Sequence, residues 1–226
     1  MSEIEAFPAI RPGARVLFQG DSITDACRNR DVLDANLGFG LGGGYVMVIA
    51  AHLLGKLPRR ELHLFNRGVS GDKVSQLIDR WDRDTLELAP DILTILVGVN
   101  DFWHITKHGY PGSVERYRED YRRLLHRTRE ALPGTLLVIG EPFALSGGTE
   151  IDESWYPEFD GYRAAARTVA SEFDAVWIPF QKIFANAAVA APVKHWCPDG
   201  VHPSAAGAWI MAEAWLHALS ALSRRK

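Results

Sequence analysis

The sequence predicts an α/β fold: a parallel sheet with helices on both faces. Five short strand-like runs alternate with helix-length segments along the chain. Parallel strands need long crossovers, and this alternation supplies them. The third run, "DILTILVGV" at residues 91–99, is almost wholly apolar, as expected of a central strand buried on both faces.

The elements follow in order. The first strand, Arg15–Gln19, carries Val16-Leu17-Phe18 and ends on the turn Gly20-Asp21-Ser22. After an irregular stretch at 28–43, "GGYVMVIAAHLLGKL" has the length and apolar content of a covering helix. The second strand, Glu61–Phe65, is followed by "NRGVSGD" and then by the helix "DKVSQLIDRWDRDTLEL". The third, Asp91–Val97, runs into "GVND"; the next stretch, "DFWHITKHGYPG", does not read as a helix. In the helix at 113–132, Val114, Tyr117, Tyr121, Leu124, Leu125 and Thr128 share one face. Its six arginines are interleaved with Glu115, Glu119, Asp120 and Glu130, the pattern of a solvated face. The fourth strand, Leu136–Gly140, precedes an irregular stretch at 145–157 and the helix "FDGYRAAARTVASEF". The fifth, Ala175–Ile178, is followed by "FQKIFANAAVA", by "PDGVHPS" and by the closing helix "PSAAGAWIMAEAWLHALSAL".

Composition narrows the function classes. A chain of 226 residues, 47% hydrophobic and 23% charged, is expected to form one domain over 1–226, with 1–13 an N-terminal extension and 219–226 a tail. A net charge of −3 and a pI near 6.2 offer no attraction to nucleic acid or an anionic membrane. No run approaches the roughly 20 apolar residues of a membrane span. The N-terminus, with acids and prolines, lacks signal-peptide character, so a cytoplasmic location is expected. Cys27 and Cys197 are too few for a disulfide framework and are expected as free, buried or semi-buried thiols. His104 and His108 stand four apart, but a metal pair needs a helix there; the other histidines lack ligand spacing.

In open parallel sheets ligands bind outside the carboxyl ends of the strands. That rule gathers Ser22, Gly71, Asn100, Asp199 and His202 at one edge. Acyl transfer needs a hydroxyl nucleophile, an imidazole to take its proton and a carboxylate to orient the imidazole. Ser22, His202 and Asp199 supply them. It also needs donors aimed at the developing oxyanion. The Ser22 and Gly71 N–H groups and the Asn100 amide are candidates. Each residue also has a plain structural reading: Ser22 in a strand-closing turn, Gly71 in its own turn, Asn100-Asp101 in an Asx turn, His202 before a helix. Asp21 supports the turn around Ser22 and is carried, with Trp103 and Trp196, among candidate substrate-binding residues.

At these stations the sequence resembles the SGNH hydrolases of the GDSL esterase superfamily. Gly20-Asp21-Ser22, Gly71, Gly98-Val99-Asn100-Asp101 and Asp199-Gly200-Val201-His202 match its four motifs in family order. The resemblance runs roughly from residue 13 to 218, and no G-x-S-x-G elbow argues for the α/β-hydrolase fold instead. It implies a flavodoxin-like three-layer α/β/α sandwich with strand order 2-1-3-4-5 and an acyl-enzyme mechanism without cofactor or metal. Ser22 would be nucleophile, His202 base then acid, Asp199 its orienter, and Ser22 N–H, Gly71 N–H and Asn100 the oxyanion hole. Details such as "GDSITDACR", "GVNDFWH" and "EPFAL" resemble intracellular acetylxylan esterases, which remove acetyl groups from xylo-oligosaccharides. Phe102, Trp103, Trp155, Tyr156 and Trp196 would suit stacking on sugar rings or core packing; Trp196, three residues before Asp199, is the leading candidate. The expected partner is a small ester, with a homo-oligomer left open. The alternatives are a lysophospholipase or general carboxylesterase and a non-catalytic flavodoxin-like binding domain.

Overall fold

A computed structural model of the protein describes residues 7–222. Five parallel strands form its sheet: β1 (Arg15–Gly20), β2 (His63–Asn66), β3 (Ile92–Leu96), β4 (Leu136–Gly140) and β5 (Val176–Ile178). Their order is β2-β1-β3-β4-β5, as the resemblance implies. Val16 pairs with both Leu64 and Ile92, which sets β1 between β2 and β3, and β3, paired also with β4, is the central strand. All five residues of β3 are buried, which explains its unbroken apolar run.

The helices are α1 (Ser22–Asp25), α2 (Gly38–Leu41), α3 (Tyr45–Lys56), α4 (Val74–Trp81), α5 (Val99–His108), α6 (Val114–Ala131), α7 (Glu158–Glu172), α8 (Phe180–Ala187), α9 (Val193–Trp196) and α10 (Ala205–Ala221). On α6 the predicted face is buried at Tyr117, Tyr121, Leu124, Leu125 and Thr128, while Val114 is partly buried. The large indoles satisfy their polar atoms inside: Trp81 Nε1 donates to Thr128 Oγ1 (3.0 Å) and Trp215 Nε1 to Thr94 Oγ1 (2.9 Å).

Several expectations shift, each for a local reason. The second strand starts at His63 because Glu61 adopts a left-handed conformation (φ 50°), and it runs on to Asn66. On its outer edge Asn36 stands in for a neighbouring strand, exchanging hydrogen bonds with Leu64 N–H and the Leu62 and Leu64 carbonyls. The helix expected over 72–88 is α4 followed by a π-helical turn, Asp82–Leu86. That turn brings the Asp84 carbonyl and Thr85 hydroxyl to the buried amide of Gln19 (3.1 and 2.8 Å). Residues 99–108 are helical, contrary to expectation; Gly109 (φ 63°) caps the end, donating to the His104 and Ile105 carbonyls. Phe7 and Ile10 are buried in the core, and Leu219 belongs to α10, so neither proposed terminal segment is set apart throughout. Residues 1–6 and 223–226 of those segments lie outside the described residues.

Candidate active site

β1 ends where it must pass close to β3. At Gly20 a Cβ would lie 2.2 Å from the Leu96 carbonyl oxygen, so only glycine fits (φ 155°). Asp21 then caps α1, its Oδ1 accepting Ile23 N–H at 3.0 Å, and Ser22 opens the helix. Asp21 is only 1% exposed, which leaves it no surface for substrate; its place among substrate contacts is corrected to support of the turn.

Ser22 Oγ lies 2.8 Å from His202 Nε2. His202 Nδ1 lies 2.6 Å from Asp199 Oδ2, and that carboxylate fixes the ring proton on Nδ1. Nε2 is then an acceptor for the Ser22 hydroxyl. Asp199 Oδ1 accepts the N–H groups of Val201 (2.9 Å) and His202 (2.7 Å), which locks the carboxylate to its own turn. Burial pushes the Asp199 carboxyl up, but the hydrogen bonds from His202 and Val201 outweigh it and hold it at about 2. The Asp199 hydrogen bond raises His202 above the ordinary imidazole value, against its desolvation.

The second and third stations are tied to the first. Val69 N–H donates to the Gly20 carbonyl (3.0 Å), and Asn100 Nδ2 donates to the Asp72 carbonyl (3.2 Å), which brings Asn100 beside the Gly71 loop. Gly71 itself has φ 87°, the left-handed region that favours glycine. Two ionic hubs hold this arrangement. Arg80 donates to Asp72 Oδ2, Gln19 Oε1, Asp84 Oδ2 and the carbonyls of Arg67 and Gly20, so one guanidinium joins the end of β1 to the Gly71 loop. Asp25 accepts from Arg30, Arg28 N–H and both the N–H and the hydroxyl of Ser70. Sequence reading missed both hubs: nothing local marks them, and Arg80 and Gln19 are 61 residues apart.

Ser22 and His202 open on a cavity of about 550 Å³ lined also by Ile23, Cys27, Gly43, Gly44 and Ser70. Cys27 is exposed, so the expectation of two buried or semi-buried thiols holds only for Cys197. The site aromatics divide. Phe102 and Trp155 are buried in a cluster with Phe159, which removes them as sugar platforms. Tyr156 donates its hydroxyl to the Ala144 carbonyl. Trp196 donates its indole N–H to the Ala191 carbonyl (3.1 Å) and meets His195 edge-on. Trp103 is half-buried, with its ring 6.5 Å from the His202 ring and Lys107 Nζ 4.9 Å from its centroid. His104 and His108 meet edge to face on α5 with ring centroids 5.0 Å apart, and Lys73 Nζ lies 3.2 Å from His104 Nδ1. No group of three or more His, Cys, Asp and Glu among the described residues could hold a metal ion.

The model of the GDSL-like lipase/acylhydrolase family matches residues 18–210, a span that includes all of these stations. The chain belongs to that family. This SGNH/GDSL protein is a carboxylic ester hydrolase. It is 30% identical over 214 residues to an acetylxylan esterase of Geobacillus stearothermophilus, covering 92% of this chain and 94% of that one. Among solved structures it is similar to one described as a GDSL-like lipase from Parabacteroides merdae (TM-score 0.91, 45% identity, 93% and 97% of the two chains). It is also similar to that of the Geobacillus acetylxylan esterase (TM-score 0.83, 28% identity, 93% and 96%). Two structures of the Geobacillus enzyme are described as catalytic mutants, one with a serine and one with an aspartate replaced by alanine. Among the described residues of the SGNH/GDSL protein, no helix is long and apolar enough to cross a membrane.

One electrostatic feature of the esterase yields a stability prediction. Burial raises the Asp21 carboxyl from 3.8 to about 7, against the Ile23 hydrogen bond and the charge of His202. Between about pH 4 and 7 the unfolded chain gives up this proton while the folded chain keeps it. The contribution of Asp21 to stability is therefore fully present near pH 4 and is lost as pH rises through about 7. Asp21→Asn keeps the cap acceptor and cannot ionise. It is expected to unfold later than wild type at pH 8, by about 1–4 kcal/mol, with the gap closing toward pH 4. Urea titrations at the two pH values check this; an equal gap at both would contradict it.

Proposed function

We propose that this esterase removes acetyl groups from xylo-oligosaccharides or closely related sugars through an acyl-enzyme on Ser22. The observation that carries the chemistry is the continuous hydrogen-bond chain Ser22–His202–Asp199. Ser22 Oγ attacks the ester carbonyl as its proton passes to His202 Nε2, and Asp199 steadies the imidazolium. The negative charge on the carbonyl oxygen is met by the N–H groups of Ser22 and Gly71 and by the second amide hydrogen of Asn100. His202 returns the proton to the leaving sugar oxygen, then takes one from the attacking water and passes it to Ser22 Oγ as the acyl–serine bond breaks and acetate leaves. The serine and aspartate variants of the Geobacillus enzyme described as catalytic mutants support these roles. One catalytic domain over 1–226 is the arrangement we infer, its described strands joined in a single five-stranded sheet.

The acetyl-sugar preference rests on the Geobacillus acetylxylan esterase, similar over nearly the full length of both chains. For the sugar platform the geometry favours Trp103 over Trp196, because Trp103 stands beside His202; the Lys107 ammonium lies over one face of its ring and leaves the other for a sugar. The test is kcat/KM across acetyl, butyryl and octanoyl p-nitrophenyl esters and acetylated xylo-oligosaccharides, with and without chelator. The acetyl ester should lead, the chelator should change nothing, and Trp103→Ala should lower turnover of the sugar ester more than that of p-nitrophenyl acetate. A maximum at octanoyl would move the protein to lipid esters such as lysophospholipids, and dependence on metal would undo the mechanism.

A further inference from the structure

The contacts of Asp199 with Val201 and His202 are built on the Asp199–Gly200 backbone, whose path is set from outside the turn. The loop at 145–150, which has no regular structure, holds it through backbone contacts. Leu145 N–H donates to the Gly200 carbonyl (2.9 Å), Thr149 N–H to that of Pro198 (3.2 Å) and Glu150 N–H to that of Asp199 (3.1 Å). At Gly148 the two chains are in direct backbone contact. A Cβ there would lie 2.3 Å from both the Asp199 carbonyl carbon and the Gly200 nitrogen, and 2.7 Å from the Asp199 oxygen. Every atom it would strike is main chain, so no side chain can swing aside. Gly200 answers from the other side: with φ 93°, its own missing Cβ would strike the Leu145 oxygen at 2.5 Å. The loop is anchored in turn to α5, the helix of Asn100 and Trp103, by the Lys107–Glu150 ion pair (3.3 Å).

We propose that Gly148 is a positioning residue for the acid of the triad: its lack of a side chain lets the 145–150 loop lie on the Asp199–Gly200 backbone and fix the carboxylate against His202. This rests on the triad reading given above. Any larger residue lifts the loop or displaces the turn, and an error of about 1 Å in a catalytic group costs on the order of 10²-fold in rate.

The experiment compares Gly148→Ala with wild type, Asp199→Asn and Gly55→Ala, reading kcat, KM, Tm and the pH profile of kcat/KM on p-nitrophenyl acetate. Gly55 is a glycine of α3 with open space around its missing Cβ, so its replacement should leave all kinetic values unchanged. The acid limb of the profile reports His202, which must be neutral to act as base; Asp21, whose charge also faces His202, is the same in every variant compared, so a shift between variants reports the Asp199 contact. Because the Asp199 hydrogen bond raises the His202 pKa, loosening that contact moves the limb to lower pH. Gly148→Ala should lower kcat between about 10- and 10²-fold with KM nearly constant. It should also shift the acid limb in the direction that Asp199→Asn does. A packing role alone would lower Tm and leave the limb in place. Lys107→Met, which cuts an exposed ion pair, covers the case of a Gly148→Ala protein that does not fold, and should give a smaller shift of the same sign. An unmoved limb in the folded variants overturns the proposal while Ser22→Ala remains inactive; an active Ser22→Ala enzyme overturns the triad reading itself.

Discussion

Ser22→Ala is expected to lower kcat on p-nitrophenyl acetate by on the order of 10⁶, and His202→Ala by a similar factor. The double variant should be little worse than either. In the mechanism proposed above, bond formation and proton transfer occur in one event at the 2.8 Å contact, so removing either partner removes both effects. Asp199→Asn should retain more activity, since it disturbs the tautomer and orientation of His202 and leaves the nucleophile in place. Steady-state kinetics on the four proteins checks this. Losses that multiply in the double variant would mean that Ser22 and His202 act independently.

The second large effect belongs to Asn100. Loss of one preorganised oxyanion donor typically costs about 10²–10³ in kcat. Asn100→Ala should show that loss with KM nearly unchanged, because the charge it meets exists only in the transition state. The buried amide already gives one hydrogen to the Asp72 carbonyl, which holds it in place and leaves the other for the proposed oxyanion contact. A rise in KM with kcat intact would make Asn100 a ground-state binding residue.

Much of this site was legible because its first three stations place unusual residue types just after strands. Gly20 and Gly71 stand where the backbone leaves the conformations open to other residues, Ser22 and Asn100 stand where an apolar run stops, and Asp199 and His202 stand just before the closing helix. The sheet was legible from its apolar periodicity, and β4 lies where the sequence predicts it. Contacts made only by tertiary folding were not. Arg80 reads as one more charge on an amphipathic helix until β1 and the Gly71 loop arrive around it. Aromatic and β-branched residues in "DFWHIT" disguise α5, although Asp101 in its first turn, Lys107 and His108 in its last, and Gly109 beyond it are end signals. Trp103 stands far from Asp199 and His202 in sequence, and only the fold of α5 carries its ring to His202. The 145–150 loop has no periodicity to read; its role shows only in what lies against Gly148.

The central claim is that Ser22 forms a covalent adduct with the substrate's acyl group. The most direct measurement is intact-mass and peptide-mapping spectrometry after exposure to an alkyl fluorophosphonate. Ser22 Oγ attacks phosphorus, fluoride leaves, the serine proton passes to His202, and a stable phosphonate ester remains. One adduct per chain is expected, mapped to the peptide containing Gly20-Asp21-Ser22, with esterase activity lost in step. Labelling should disappear in Ser22→Ala and slow sharply in His202→Ala. An adduct elsewhere, or a Ser22→Ala protein that still labels and turns over ester, would contradict the account.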